Sequence, residues 1–384
     1  MHVEPDAARR ARPLRRGPVE AASGASDAVA AAGLGPSPEL SRYSSRRLIV
    51  ATVAFAVVGF GLLFFYSDGR ELLNVASTIA WPRLLVPVGA TLLSYVLMTM
   101  SYDGIARAAG TPIGFLPMLR ITFVSNIVNY IVATGGLSGF ALRMYFFRQS
   151  GIPVGRAVTI SFVQGLITNL TLLIFLAMGF VFLLTHESLG TAALVSAAVL
   201  LALFVLATLL SLLLLLHRGV RRRVLFWGLE ASHVIARRVL PHHRMPRRIR
   251  LWRLQLNIER GFAFILTNWR HMVLPVLWII LDWVVTLGVL WGAFWCVHLD
   301  IPFPLVTVGF AVGILFSLVS LAPGGIGIME GSMTTVFVAL GVPIEQTVVA
   351  VLIFRVAYYA VPFLVSLAFF RSMLRVARRQ DAVA

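Results

Sequence analysis

The stretch Leu321-Ala322-Pro323-Gly324-Gly325-Ile326-Gly327-Ile328-Met329-Glu330-Gly331 sets helix breakers and a carboxylate inside a segment otherwise apolar enough to enter a bilayer. A lipid-facing helix is not written this way. The hydrocarbon core holds no water, so backbone groups freed by Pro and Gly must find partners in protein or in a wet cavity. The run therefore predicts an interior site, marked by the ionisable Glu330.

The rest of the chain supplies the bilayer context. Of 384 residues, 59% are hydrophobic and 13% charged, and the mean hydropathy is +0.87, the composition of a polytopic membrane protein. All 33 basic residues are Arg, which excludes Schiff-base and Walker-type lysine chemistry. The net charge of +17 sits beside apolar spans, a placement that fits an anionic cytoplasmic leaflet and not nucleic acid. The single Cys296 lies in an apolar stretch, so neither a disulfide framework nor a thiolate cluster is expected. His233, His242, His243 and His271 form no spaced ligand set, and no metal or cofactor is expected. Gly324-Gly325-Ile326-Gly327 has no strand before it and is no dinucleotide loop.

Residues 1–46 mix Ala, Pro, Gly, Ser and Arg without apolar periodicity and read as a disordered basic cytoplasmic tail. An all-α membrane domain follows over 47–375, and 376–384 form a second cytoplasmic tail. About six full spans are expected, at 48–66, 84–106, 157–184, 191–216, 272–298 and 347–370, each near the ~20 residues a bilayer requires. Two further apolar stretches, 115–149 and 303–340, are interrupted by Gly135-Gly136 and Gly324-Gly325 and read as broken helical hairpins, either re-entrant or short and double-crossing. Basic residues test this topology, because short cytoplasmic loops carry the excess. Arg107, Arg120, Arg143, Arg148, Arg156, the 217–270 loop and Arg371 to Arg379 fall on one side. Asp68, Glu71, Glu187, Asp300 and Glu345 fall on the other, with Arg70 and Arg83 as its basic exceptions, which places both termini in the cytoplasm of a bacterial cell. The 217–270 loop has Trp227, Trp252 and Trp269 among its Arg residues, as amphipathic helices on the inner leaflet would.

The glycine pairs belong to a repeat. Each lies 15 or 16 residues before a Gly-aliphatic-Pro turn, Gly151-Ile152-Pro153 or Gly341-Val342-Pro343. Upstream, Val86-Pro87 matches Leu274-Pro275, and Thr111-Pro112 matches Ile301-Pro302. The units, about 84–185 and 272–372, are separated by an odd number of crossings, so they form an inverted repeat of span, hairpin, span. Inverted repeats with broken helices mark alternating-access carriers, although duplication alone also builds a stable bundle.

Within this frame Arg355 is the clearest intramembrane cation, with pairing to Glu330 or Asp282 as its structural alternative. Glu330 reads as a site carboxylate or as a helix cap. Asp282 falls near the centre of its span opposite Ser94 of the first repeat, so one copy alone carries charge, as a proton-coupling acid or as an acid satisfied by Ser or Trp neighbours. Arg143, near Arg148 and Arg156, is placed to meet a phosphate headgroup, with snorkelling to the cytoplasmic surface as the competing reading. The glycine backbones at Gly135, Gly136, Gly324 and Gly325 complete the expected substrate-binding set.

Over about 47–375 the chain resembles the flippase-like membrane region of lysylphosphatidylglycerol synthases, which also occurs as stand-alone membrane proteins. The resemblance rests on Leu321 to Gly331 followed by Gly341-Val342-Pro343, on Gly135-Gly136 leading to Arg143 and Gly151-Ile152-Pro153, and on Arg355. It implies movement of a phospholipid or lipid-linked anionic headgroup between leaflets. The chain ends at Ala384, so no aminoacyl-transfer domain is expected. A membrane-embedded transferase and an accessory subunit of an envelope-assembly complex are the alternatives, although no clustered carboxylates mark a catalytic site.

Overall fold

The computed structural model describes residues 74–369 apart from 76, 132–136, 186–190, 240–247 and 320–324. The expected span at 48–66, both tails, and Gly135, Gly136 and Gly324 lie outside the described residues. The described chain is all helical. Its elements are α1 (Leu85–Ala108), α2 (Phe115–Ile131), α3 (Leu137–Gln149), α4 (Val154–Thr185), α5 (Thr191–Leu216) and α6 (Arg218–Val239). They continue with α7 (Arg248–Thr267), α8 (Val273–Cys296), α9 (Phe303–Val319), α10 (Ile328–Ala339) and α11 (Ile344–Arg355). A π-helical turn at Val356–Ala360 carries α11 onward to Phe369.

Four of the expected spans are single helices long and apolar enough to cross a bilayer: those built on α1, α4, α8 and α11. At the end of α5 the chain turns by 103° into α6. Such a near-perpendicular exit lays the Arg-rich α6 across the bundle end and not along it. Arg221 holds the corner: its guanidinium donates to the Leu214 and Leu215 carbonyls and pairs with Glu259 on α7 at 2.9 Å. Those carbonyls are helix-end acceptors with no partner in their own ladder.

The repeat is visible atom by atom. In the first Gly-aliphatic-Pro turn the Ile152 N–H reaches the Phe147 carbonyl at 3.0 Å, and in the second the Val342 N–H reaches Phe337 at 2.9 Å. Gly151 and Gly341 take φ of 81° and 87°, left-handed values that close a helix without Cβ strain. Between the repeats α1 and α8 pack antiparallel with reciprocal contacts. A Cβ on Gly104 would meet Pro275 Cγ at 2.7 Å, and one on Gly292 would meet Val86 at 3.2 Å and Pro87 Cδ at 3.5 Å. Pro87 and Pro275, like Gly104 and Gly292, have the 188-residue separation of Ser94 and Asp282, which face each other between these contacts. Equivalent residues meeting across an antiparallel pair is the signature of a pseudo-twofold axis in the membrane plane.

The hairpins α2–α3 and α9–α10 have limbs of 17 and 13, and of 17 and 12 residues. At 1.5 Å per residue the shorter limbs extend only about 20 Å, less than the ~30 Å hydrocarbon thickness. Described residues beside both interruptions reach the same part of the last span. Tyr130, near the end of α2, packs its ring 4.8 Å from Tyr359, while Gly325 beside the second tip lies at Arg355. Several hydroxyl side chains are satisfied by their own helix, as lipid favours: Thr91, Thr99, Thr159 and Thr347 each donate to the carbonyl four residues back.

Candidate functional site

The second hairpin positions its charge by capping chemistry. Gly327, at φ 84°, turns the chain into α10, and the Glu330 side chain reaches back to accept from the Gly327 N–H at 2.7 Å. This places Glu330 at the third helical position, where a carboxylate also complements the helix dipole. Its other oxygen pairs with Arg355 Nε at 2.5 Å, both side chains being almost fully buried. Arg355 further donates to the Gly325 carbonyl at 3.4 Å and stacks its guanidinium 4.4 Å from the Tyr359 ring centre. Glu330 therefore both caps a helix and balances a cation, and for Arg355 this is the pairing given above as its structural alternative. Arg355 is the last residue before the π turn, a geometry that is frequent at functional sites.

Tyrosines link this cluster to the first repeat. Tyr358 and Tyr359 of the π turn pack against Tyr130 of the first hairpin, with ring centres 6.4 and 4.8 Å away. Asp282 sits beside this aromatic group. It accepts a hydrogen bond from Ser94 at 2.5 Å, and Ser94 in turn lies 3.3 Å from Thr286 Oγ1. Among the described residues Asp282 has no basic partner. Its hydrogen bond from Ser94 is the Ser-neighbour arrangement that the sequence offered as one of two readings.

Arg143 forms a separate cluster on the first hairpin. It is buried, where the competing reading had it snorkel to the surface, because α1 and α2 surround it with neutral acceptors. Nε donates to Ser125 at 3.2 Å, Nη2 to Asn126 at 3.0 Å and Nη1 to the Tyr102 hydroxyl, with the guanidinium 4.4 Å from the Tyr102 ring centre. No carboxylate pairs with it among the described residues. Asn126 and Tyr130 are one helical turn apart on α2, so this helix connects Arg143 to the tyrosines and thence to Arg355.

The structure thus unites Arg355, Glu330 and Gly325, sets Asp282 across the tyrosine group, and holds Arg143 one turn away. Sequence reading missed the tyrosines, although Tyr359 lies one turn beyond Arg355 in an apolar span. It also missed Asp103, a buried carboxylate that pairs with Arg107 at 2.5 Å. On the side of α4 that begins at Val154, a groove of about 420 Å³ is lined by Arg156, Arg260, Phe264, Thr267 and Asn268.

Comparison with known proteins adds three observations. Over 86 residues the chain is 35% identical to a phosphatidylglycerol lysyltransferase of Staphylococcus haemolyticus, covering 22% of this chain and 10% of that protein. Over 337 residues it is 23% identical to a UPF0104 membrane protein of Methanothermobacter thermautotrophicus, covering 85% of this chain and 93% of that one. The chain spans only a small part of the first relative and nearly all of the second. Residues 49–366 match the family described as the lysylphosphatidylglycerol synthase TM region, which takes in the repeat, the hairpins and the Arg355–Glu330 pair. This chain, a membrane protein built of apolar helices, belongs to the lysylphosphatidylglycerol synthase TM region family.

Proposed function

We propose that the protein moves a phospholipid or lipid-linked anionic headgroup between the leaflets of the bacterial cytoplasmic membrane, with both termini in the cytoplasm. The observation that carries this reading is that Tyr130 of the first hairpin and Gly325 of the second both reach one segment of the last span, Arg355 to Tyr359. Helices that half-enter and meet at a fixed polar site fit alternating access better than a catalytic pocket open to one side. The headgroup phosphate is held by Arg355, in exchange with Glu330, and by backbone amides of the glycine-rich turn, while the acyl chains stay in lipid. Arg143, buried among neutral donors and acceptors, supplies the second cationic station on the cytoplasmic approach, which begins at the Arg156 and Arg260 groove.

The test is a proteoliposome assay with fluorescent phosphatidylglycerol placed in one leaflet and read by an impermeant quencher. Protein should accelerate its movement at least tenfold over empty vesicles, Arg355→Ala should abolish the gain, and Arg143→Ala should reduce it. Failure to accelerate any member of an anionic and zwitterionic lipid panel overturns the translocase. A lipid product of changed mass indicates a membrane-embedded transferase instead.

A further inference from the structure

Two buried carboxylates face the convergence of the repeats, and only one is free to change protonation without dismantling the fold. Glu330 is committed twice, to the Gly327 N–H and to Arg355. Asp282 is not. It is 7% exposed, lies near the middle of the 24-residue α8, and accepts from one neutral donor, Ser94. Its position coincides with the pseudo-twofold axis, where the two repeats must slide or tilt against one another if the hairpins alternate.

The groups that face it are hydroxyls. Ser94 and Tyr95 come from α1, Thr286 from α8 itself, Tyr130 from α2, and Tyr358 from the π turn, the three tyrosines lying within electrostatic range of the carboxylate. The Tyr95 hydroxyl is buried and has no hydrogen-bond partner among the described residues. Beyond this shell stands Arg355, neutralised by Glu330. Helix α9 brings no ionisable side chain, α4 brings only Arg156 at its start, and Arg83, Arg270 and His271 lie at the helix ends. Helices α1 and α8 run unbroken past Ser94 and Asp282, so their carbonyls stay in the helical ladders and are not offered to a metal cation.

We infer that Asp282 is the proton site of the transport cycle, taking up and releasing the proton that links headgroup movement to the pH difference across the membrane. This rests on the translocase reading. No bond other than O–H changes: Ser94 remains donor to one carboxylate oxygen while the proton resides on the other.

Infrared titration of the full chain in liposomes reads the site without any transport. The wild type should show a carbonyl-stretch band of a protonated buried carboxylic acid that disappears as pH rises. Asp282→Asn should lack it, Glu330→Gln should retain it, and Ser94→Ala should move its midpoint by about one pH unit. A band that persists in Asp282→Asn, or a midpoint indifferent to Ser94, overturns the assignment even if one variant folds poorly. In the labelled-lipid assay an imposed pH gradient should change the wild-type rate severalfold and leave the Asp282→Asn rate unaltered. Lipid movement that ignores the gradient in both proteins overturns the proton link and spares the translocase. No lipid movement at all, with the band still assigned to Asp282, overturns the translocase and the coupling but leaves the proton site.

Discussion

Neutralising Glu330 while keeping its cap isolates what the buried ion pair contributes. Glu330→Gln retains an acceptor for the Gly327 N–H and removes the charge opposite Arg355. An Arg355 guanidinium left 6% exposed is then an uncompensated buried cation. Breaking such a pair by removing one partner costs about 3–5 kcal/mol. The lower end applies here, about 3 kcal/mol, because the Tyr359 face and the Gly325 carbonyl still hold the guanidinium. Removing both charges together, in Glu330→Gln with Arg355→Met, leaves no orphan. The double variant should therefore be no more than about 1 kcal/mol less stable than wild type, because a buried pair replaced by neutral groups is often close to neutral. Reversible unfolding by dodecyl sulfate in mixed micelles, followed by tryptophan fluorescence, gives all four corners of the cycle. A coupling of about 2 kcal/mol or more is expected for residues in direct contact. Additive losses in the double variant would refute the pairing and with it the placement of the second hairpin.

Further expectations follow from backbone and packing. Gly325→Ala places a Cβ against the Ser317 side chain at φ 65°, whereas Gly341→Ala at φ 87° meets open space. Gly325→Ala should lose about 2–3 kcal/mol and Gly341→Ala about 1 kcal/mol in the same unfolding assay. Gly104→Ala, which drives a methyl to 2.7 Å from Pro275, should destabilise more than Gly292→Ala, whose nearest neighbour is 3.2 Å away; equal effects would contradict the closer approach at Gly104. Arg221→Ala strips the Leu214 and Leu215 carbonyls of their donor and leaves Glu259 unpaired, so hydrogen exchange should quicken at the end of α5 and along α7; unchanged protection would remove Arg221 from the corner.

Much of this architecture is legible in the residues themselves, because lipid leaves few options. The spans at 84–106, 157–184, 272–298 and 347–370 follow from apolar length and match α1, α4, α8 and the continuous last helix. Paired glycines mark where a hairpin must turn, and matching Gly-aliphatic-Pro turns expose the repeat, down to equal hydrogen bonds at Ile152 and Val342. The Ser94 and Asp282 correspondence was visible as an alignment, but their 2.5 Å contact was not, since alignment does not say that equivalent helices pack face to face. Arg143 shows another limit. In the sequence it stands near Arg148 and Arg156, where snorkelling to the surface is the competing reading, and only the packing of Tyr102, Ser125 and Asn126 around it reveals burial. The tyrosine group was illegible because its members come from three separate elements, and the π turn that rotates Tyr358 and Tyr359 together leaves no composition signal.

The central claim is that two hairpins enter from opposite membrane faces and meet at Arg355 to Tyr359. Cys296 is the single cysteine and is buried, so introduced thiols report without background. Ser150→Cys lies at the base of the first hairpin and Glu345→Cys follows the base of the second. Labelling with a membrane-impermeant maleimide in sealed, oriented vesicles should modify Ser150→Cys from the cytoplasmic side alone and Glu345→Cys from the opposite side alone. Modification of both from one side would put the hairpins on the same face and contradict a two-sided pathway.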